Sequence, residues 1–347
     1  MRHLFSAGFA AIFCVFSGAA LANGVIVSPN GTTQIGVNDD GALDANTTRG
    51  FVGIGYNFTG QGGRTGFQDA LTPGCPCEAW GVAGNGLEGQ VGRSTGNLNI
   101  GVNASSAGTS DNSPDSGATA TFTSNTYLTT LPGLTVTQEF SLGAQTGTGA
   151  LFMDKVTITN TTGAAVTDVR FARAMDWDVP PTEFSEFVTI KGTGTASELL
   201  HSTDNGFAYA LPISSMSDGG IIGPNDADGT TGVADHGALF IFGFGDLADG
   251  ASKTFNIFYG AGANLTDALN LLGLISPELY SLGQSSGCTS SASGICNDLP
   301  TFVFAFNGVG GGVIVPPPGG GVPEPATLAL MGAGLAGLVL RRRKMAR

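Results

Sequence analysis

Residues 134–159 read LTVTQEFSLGAQTGTGALFMDKVTIT, and this stretch decides the class of fold. Apolar and polar residues alternate in its first and last parts, which is the period of a β-strand with one buried face. The middle part is rich in Gly and Thr and predicts a turn between the two strands. The stretch therefore predicts an antiparallel hairpin with a long loop.

The rest of the chain repeats this pattern of short alternating runs between turn signals. Charged residues make up only 12% of the chain and Gly is very frequent, which is the composition of short strands and tight turns. One helix is predicted after Asn264, where apolar residues recur at helical spacing until Pro277. We therefore predict an all-β fold, a large and supersandwich-like antiparallel β-sandwich with one short helix. Further strands are predicted at 51–58, 118–123, 166–179, 188–191, 207–211, 239–244, 254–259 and 302–306.

The charge of the chain argues against nucleic acid as a partner. The formal net charge is -13, and residues 23–322 alone hold 8 basic and 26 acidic residues. A body this acidic is repelled by nucleic acid and by anionic lipid. Its composition fits an acidic secreted protein or one that binds cations.

Residues 1–22, MRHLFSAGFAAIFCVFSGAALA, have the three parts of a secretory signal peptide. Arg2 provides the basic start, and an apolar stretch follows. Ala20 and Ala22 fit the small-x-small cleavage rule, which places the cut before Asn23. The sequence therefore predicts export across an inner membrane through the Sec translocon.

The C-terminal end combines a Pro-Glu-Pro triplet, a short apolar segment and an arginine cluster. As a helix, the apolar residues 326–340 would span about 22 Å, which is less than the roughly 30 Å of a membrane's hydrocarbon core. The basic cluster would stay in the cytoplasm and stop transfer. We therefore predict a temporary transmembrane-type helix within 323–347, separated from the body at 23–307 by a Gly/Pro linker at 308–322. The signal residues are Pro323, Glu324, Pro325, Arg341, Arg342 and Arg343.

These three parts, in this order, resemble the PEP-CTERM sorting signal of Gram-negative bacteria. The resemblance implies recognition by an exosortase-type membrane protease, cleavage near the triplet after transient anchoring in the inner membrane, and delivery to the cell surface or the exopolysaccharide matrix. Residues 158–184 and 247–262 also resemble recurrent body segments of exported PEP-CTERM proteins. That group provides no catalytic residues to transfer to this chain.

Asp176-Trp177-Asp178 is the sharpest local feature of the body. On a strand, both aspartates point to one face with Cα atoms about 7 Å apart. They could share a cation, pair with Arg170, or act as a glycosidic acid/base pair. Phe171, Met175 and Trp177 would face the other side, where Arg173 interrupts the apolar pattern.

A second candidate calcium site follows Asn225. Asp226 and Asp228 precede a Gly, and calcium loops use oxygen ligands at alternate positions with a Gly at the turn. No Glu stands at the closing position of an EF-hand, and Asp/Asn/Gly clusters also form ordinary turns. Calcium is therefore a tentative cofactor, with Asp176, Asp178, Asp226 and Asp228 as its candidate ligands.

Four cysteines remain after removal of the signal peptide: Cys75, Cys77, Cys288 and Cys296. An even number in an exported chain predicts two disulfides. Three pairings are open. Cys288 with Cys296 is the simplest to picture but leaves Cys75 with Cys77, while cross-pairing would join distant loops.

Recognisable catalytic motifs are missing from the sequence. The mature part has only His201 and His236, and it contains no Gly-x-Ser-x-Gly elbow, no His-Glu-x-x-His and no phosphate-binding loop. We therefore predict a non-enzymatic structural or interaction protein of the cell surface or biofilm matrix, with extracellular polysaccharide as a partner. The alternatives are a carbohydrate-binding or carbohydrate-active β-sandwich protein, and a calcium-dependent adhesion module.

Overall fold

The computed structural model describes residues 23–47, 50–75, 77–92, 95–107, 120–223, 225–288 and 297–315. These residues form twenty strands and one α-helix, and all strand pairings are antiparallel. The prediction of a mostly β, antiparallel protein with one short helix is confirmed.

The strands follow one another along the chain with the following bounds. They are β1 (Gly24–Val27), β2 (Thr33–Val37), β3 (Ala45–Thr47), β4 (Gly50–Val52), β5 (Ile54–Thr59), β6 (Thr65–Asp69), β7 (Glu78–Gly84), β8 (Leu87–Gly92), β9 (Ile100–Ala107), β10 (Phe122–Leu128), β11 (Leu131–Gln145), β12 (Ala150–Asn160), β13 (Arg170–Trp177), β14 (Glu186–Lys191), β15 (Leu199–Thr203), β16 (Gly229–Thr230), β17 (His236–Gly243), β18 (Ser252–Gly262), β19 (Leu279–Ser285) and β20 (Thr301–Asn307).

Two large sheets and two small ones contain these strands. The largest has nine strands in the order β16-β14-β19-β20-β18-β12-β11-β10-β9, and the second has five in the order β15-β17-β13-β7-β8. A four-stranded sheet, β1-β2-β5-β6, contacts the nine-stranded sheet through β2 and β5, and β3 pairs with β4 alone. The predicted hairpin is β11 with β12, the two longest neighbours in the nine-stranded sheet.

The nine-stranded and five-stranded sheets pack face to face through aromatic side chains. Phe240 of β17 lies 5.5 Å from Phe304 of β20 between ring centroids, and Phe171 of β13 lies 5.2 Å from Phe255 of β18. Each such pair adds about 0.5–1.5 kcal/mol beyond the area that it buries. The core of the protein therefore lies between these two sheets.

The single helix, α1 (Leu265–Ile275), begins where the sequence predicts. The Asn264 side chain accepts a hydrogen bond from the backbone N–H of Asp267, which is the bond of an N-cap residue. Its buried residues, among them Leu271 and Leu272, pack on Phe258 and other side chains of the outer face of the nine-stranded sheet. The helix therefore covers part of a sheet face.

Three of the predicted strands differ from the structure. The predicted strand 118–123 overlaps β10 only at 122–123, and residues 118 and 119 lie outside the described residues. Residues 207–211 form a loop rather than a strand, and Ala208 and Ala210 lie buried against the alanine-rich outer face of the five-stranded sheet. The predicted strand 51–58 is interrupted at Gly53, whose N–H donates to the Asp69 carboxylate at 2.7 Å.

The first residues of the predicted linker contact the body. Val309 is buried in the main core, and the N–H groups of Val309 and Gly311 donate to the Glu278 carboxylate at 2.8 and 2.9 Å. Ordered packing of the body therefore continues to Val315, where the described residues end. The predicted signal peptide at 1–22 and the predicted membrane helix within 323–347 lie outside the described residues, in which no helix is long and apolar enough to cross a membrane.

One charged group lies in the centre of the core. Arg173 of β13 is fully buried between the sheets, and its Nε is 2.5 Å from the Glu78 carboxylate on β7. Its Nη1 donates to Gln138 of β11 at 2.8 Å and lies 3.7 Å from the Asp154 carboxylate of β12. Arg173 thereby joins the inner faces of both large sheets.

Arg173→Met is expected to lower the free energy of unfolding by about 3–5 kcal/mol, because it leaves the buried Glu78 charge without its partner. Chemical denaturation measures this. Lys155→Met is the matched control, since Lys155 forms an exposed pair with Glu139 at 2.8 Å and its loss is expected to cost at most about 1 kcal/mol. Equal losses in the two variants would contradict the central role of the buried pair.

The raised pKa of the buried Asp154 carboxyl predicts that the stability of the protein depends on pH. Burial raises the pKa of Asp154 to about 8; Arg173 lowers that pKa, and Glu78 and Glu139 add to the rise. The folded state therefore holds a proton that the unfolded state releases above about pH 4, so stability falls as pH rises from about 4 to 8. Asp154→Asn removes this contribution, and its unfolding free energy relative to wild type should rise across that window. A constant difference between the two proteins would show that Asp154 is ionised throughout.

Candidate functional site

Strand β13 presents two different faces to the two sides of its sheet. Phe171, Met175 and Trp177 face the core between the sheets, as the alternation predicted. Ala172 and Ala174 lie in the small apolar layer on the outer side. The Asp176 carboxylate continues this outer side at the end of the strand.

The ends of three strands bring four acidic residues together. The antiparallel register of β13 and β17 sets Asp176 opposite Gly237 and Trp177 opposite His236. In the same register, Asp178 and Asp235 lie just beyond the paired residues of the two strands. Glu186, the first residue of β14, forms a bridge with Ala234 beside them. We call Asp176, Asp178, Glu186 and Asp235 the carboxylate cluster.

Two glycines allow the backbone to close over Asp176. A Cβ atom at Gly206 would lie 2.5 Å from the Asp176 Cα, and one at Gly237 would lie 2.7 Å from it. These distances are too short for any side chain, so glycine is required at both positions. The 206 loop and β17 can therefore approach Asp176 closely and shield it from solvent.

The carboxylate oxygens of the cluster are close together. Asp176, Asp178 and Asp235 each offer one oxygen within 4.8 Å of the other two. Glu186 uses one oxygen to accept a hydrogen bond from the His236 backbone N–H at 3.0 Å. The negative charges of Asp176, Asp178 and Asp235 each add to the rise in the pKa of Glu186.

Several oxygens of the cluster are buried without a hydrogen-bond donor. Asp178 is 0% exposed, and neither of its carboxylate oxygens has a hydrogen-bond partner. Asp176 is 1% exposed, and one of its carboxylate oxygens also lacks a partner. The second Glu186 oxygen is also buried and unpartnered. No ion pair among the described residues joins a Lys or Arg to the four carboxylates.

The electrostatics of the cluster favour neutral carboxyls when no cation is bound. Burial raises the pKa of Asp176 to about 8, with a further rise from the Asp235 charge. Burial followed by the Asp176 charge raises the pKa of Asp178 to about 9. Burial also raises the pKa of Glu186 to about 9, although the His236 N–H opposes it. The cluster must therefore either hold protons or bind a cation at neutral pH.

The sequence-predicted pairing of Arg170 with these aspartates is wrong. Arg170 forms two hydrogen bonds of 2.8 Å with Asp168, at the other end of β13. The cluster therefore receives no positive charge from its own strand.

The carboxylates of Asp226 and Asp228 bind different segments of the chain. Asp226 accepts from the His201 ring at 3.0 Å and from the Ser202 N–H at 2.7 Å. Asp228 accepts from the N–H groups of Gly192 and Thr193 at 2.8 and 2.9 Å. These hydrogen bonds are those of aspartates that fix the backbone of turns.

Cys75 and Cys77 lie beside the carboxylate cluster. Cys75 and Cys77 form a disulfide with a Cα–Cα distance of 5.2 Å, and their sulfurs lie within 4.8 Å of an Asp176 oxygen. Cys288 is also disulfide-bonded, while Cys296 lies outside the described residues. The bond between Cys75 and Cys77 removes the thiolates that a zinc site would need.

Three buried residues form a hydrogen-bonded chain of carboxylate, imidazole and hydroxyl, as in a hydrolase triad, but they cannot act as one. The His236 ring lies 2.9 Å from Asp204 and 3.1 Å from the Thr231 hydroxyl. That hydroxyl accepts the Val188 N–H at 3.1 Å, and His236 is fully buried. The network fixes the start of β17, and its hydroxyl has no access to a substrate.

Neither tryptophan is available to stack on a sugar ring. Trp177 lies in the core against Phe302, with its ring N–H donating to Ser281 at 3.1 Å. Trp80 is also fully buried, and its ring N–H donates to the Asp40 carbonyl at 3.0 Å. Neither tryptophan therefore provides a stacking surface beside Asp176 and Asp178.

Sequence reasoning missed Glu186 and Asp235. Neither belongs to a motif, and they lie 8 and 57 residues beyond Asp178 in the sequence. Their proximity depends on the register of β17 against β13 and on the position of β14. The strand pairing, rather than any local pattern, would have identified them.

Comparison with known proteins identifies the C-terminal signal. The model of the PEP-CTERM protein-sorting motif matches residues 321–344. The chain therefore carries this motif, as predicted, and the motif implies an exported protein sorted by exosortase. No curated protein and no solved structure significantly matches the chain. The sorting signal thus sets the class of protein, and the matched residues lie beyond those that the structure describes.

Proposed function

We propose that the protein is a non-enzymatic structural or interaction protein of the cell surface or the exopolysaccharide matrix. The sorting motif at 321–344 carries the proposal, because exosortase sorting delivers proteins to the cell surface. The signal-peptide pattern at 1–22 and the disulfides support export.

The outer face of the nine-stranded sheet supports a polysaccharide as the partner. Its exposed residues on β11, β12 and β18 form rows of hydroxyl and amide groups across the strands. The Thr157 and Thr254 hydroxyls lie 3.1 Å apart, and Thr137 donates to Asn125 at 2.9 Å. Because neighbouring strands are about 4.7–4.9 Å apart, this face offers a regular array of donors and acceptors for sugar hydroxyls.

The non-enzymatic character of the proposal agrees with the sites described above. His201 and His236 form hydrogen bonds with the loop residues Asp226 and Asp204. In the carboxylate cluster, Asp176, Asp178 and Glu186 are buried. A glycosidase needs two carboxyls on opposite sides of a sugar bond. Three carboxylates that converge on one point suit a shared ion better than such a bond.

The sorting step is tested by replacing all three residues of 323–325 with Ala. We expect this variant to accumulate in the membrane fraction with its arginine cluster intact, while wild type is released without it. Intact mass spectrometry of membranes and medium measures both species. The matched control replaces Pro316, Pro317 and Pro318, a neighbouring proline triplet in the linker, and should be processed as wild type. Release of the 323–325 variant in trimmed form would contradict sorting through the motif.

The polysaccharide contact is tested by removing hydroxyls from the exposed sheet face. Replacing Thr137, Thr157 and Thr254 with Val keeps the β-branched shape but removes the hydrogen-bonding groups. We expect reduced co-sedimentation of the purified protein with exopolysaccharide from the producing cells. Thr59→Val with Thr65→Val, a cross-strand pair of the four-stranded sheet, is the control and should bind as wild type. Equal binding by both variants would remove this face as the contact surface.

A further inference from the structure

The carboxylate cluster lies where two sheets meet. Asp176, Asp178 and Asp235 extend from the paired ends of β13 and β17 in the five-stranded sheet. Glu186 begins β14 in the nine-stranded sheet. Any ligand bound by all four would therefore connect one sheet of the core to the other.

Its geometry matches the size of one calcium ion. Calcium binds six to eight oxygens at about 2.3–2.6 Å, so two ligand oxygens on opposite sides of the ion are about 4.6–5.2 Å apart. The oxygens of Asp176, Asp178 and Asp235 all lie within 4.8 Å of one another. One ion can therefore reach all three aspartates without displacement of the backbone.

Independent evidence for a ligand comes from the unpartnered oxygens. Asp178 is completely buried, and no donor reaches either of its carboxylate oxygens. One carboxylate oxygen of Asp176 and one of Glu186 are also buried without a hydrogen-bond donor. Buried polar groups without partners are costly, and proteins seldom retain them. No Lys or Arg among the described residues pairs with the cluster, so a bound cation would supply the partner that these oxygens lack.

The chemistry of the surroundings selects a hard cation. The three candidate ligands are carboxylates, which suit calcium, magnesium or manganese. The nearby sulfurs of Cys75 and Cys77 are joined in a disulfide, so no thiolate is present for zinc or copper. Magnesium requires near-ideal octahedral geometry and gives up its water reluctantly, whereas calcium tolerates an irregular cluster of carboxylates.

We propose that Asp176, Asp178 and Asp235 bind one calcium ion, which holds the paired ends of β13 and β17 together beside Glu186 at the start of β14. Asp235 is the most exposed of the four and forms the entrance. The ion balances the negative charge of these carboxylates. This inference goes beyond the proposed matrix function, since the ion would be a structural cofactor whatever the protein contacts.

The test is calcium and terbium binding to the purified mature protein after treatment with chelator. Calorimetry should detect a calcium site with a dissociation constant of about 10⁻⁴–10⁻³ M, the range of extracellular modules. Calcium should also raise the unfolding temperature. Terbium bound in the cluster should emit on excitation of tryptophan, because Trp177 lies between two of the ligands in sequence. Trp177→Phe should lose this emission and keep calcium binding in calorimetry.

Two variants and one control decide the assignment. Asp178→Asn and Asp235→Asn are expected to weaken calcium binding by about tenfold or more, because ligand charge sets the affinity of such sites. Asp226→Asn makes the same change in charge outside the cluster and should bind calcium as wild type. Asp235 lies at the surface, so its variant keeps the test decisive if Asp178→Asn does not fold.

Either of two results would overturn the proposal. One is a folded wild-type protein that binds no calcium at millimolar concentrations, which would mean that the cluster holds protons instead. The other is calcium binding that Asp178→Asn and Asp235→Asn leave unchanged. Both results are independent of sorting, which the 323–325 variant tests separately.

Discussion

The ion pair of Arg173 with Glu78 is the constraint on which the arrangement of the sheets depends. A guanidinium buried between two sheets is tolerated only where its charge and its donors are satisfied. Arg173 meets this condition through Glu78 on its own sheet, Gln138 on the opposite sheet and the Gly41 carbonyl of an N-terminal loop. Its guanidinium also lies 5.3 Å from the ring centre of Tyr259. A shift of either sheet would break several of these contacts together.

The loop that includes Gly41 explains how the N-terminal segment is fixed to the core. The Leu43 N–H donates to the Glu78 carboxylate at 2.9 Å, and the Asp40 carbonyl accepts from the Trp80 ring. Glu78 therefore binds Arg173 and the loop at the same time. Asp154 is the second acid near the single guanidinium. Burial raises its pKa, Arg173 opposes that rise only in part, and the Glu78 charge adds to it.

The carboxylate cluster presents the opposite situation within the same fold. At Arg173 the chain supplies a cation for its buried acids, whereas Asp176, Asp178 and Glu186 are buried with none. The difference is in the sequence, since the body holds 26 acidic residues and only 8 basic ones. With so few Lys and Arg residues, a buried acidic site in this protein depends on protons or on an ion from solution.

The sequence predicts those features that depend on local pattern. The β11–β12 hairpin follows from alternation, and α1 follows from the Asn264 cap and the apolar spacing. Residues 207–211 alternate equally well, yet they lie as a loop because their alanines fit the small side chains of the sheet below. Strands β7 and β19 are buried on both faces and therefore show no alternation to detect. The spacing of Asp176 and Asp178 on one strand can be seen in the sequence. Glu186 and Asp235 come close to them only through the pairing of strands that are distant in sequence.

Export connects the proposed calcium site to the sorting signal. Free calcium is scarce in the cytoplasm and abundant outside the cell, so the cluster would remain protonated or empty until the chain crosses the inner membrane. The disulfide beside it has the same dependence, because the bond between Cys75 and Cys77 requires an oxidising compartment. The disulfide and the proposed site lie at one end of the β13–β17 pair, where an Asp176 oxygen is within 4.8 Å of the two sulfurs and of the Asp178 and Asp235 oxygens. Because binding of an ion to the folded state alone stabilises that state, this end of the core would reach its full stability only after export. A body that gains stability from a disulfide and from an extracellular ion is suited to the surface of the cell, where the C-terminal motif directs it.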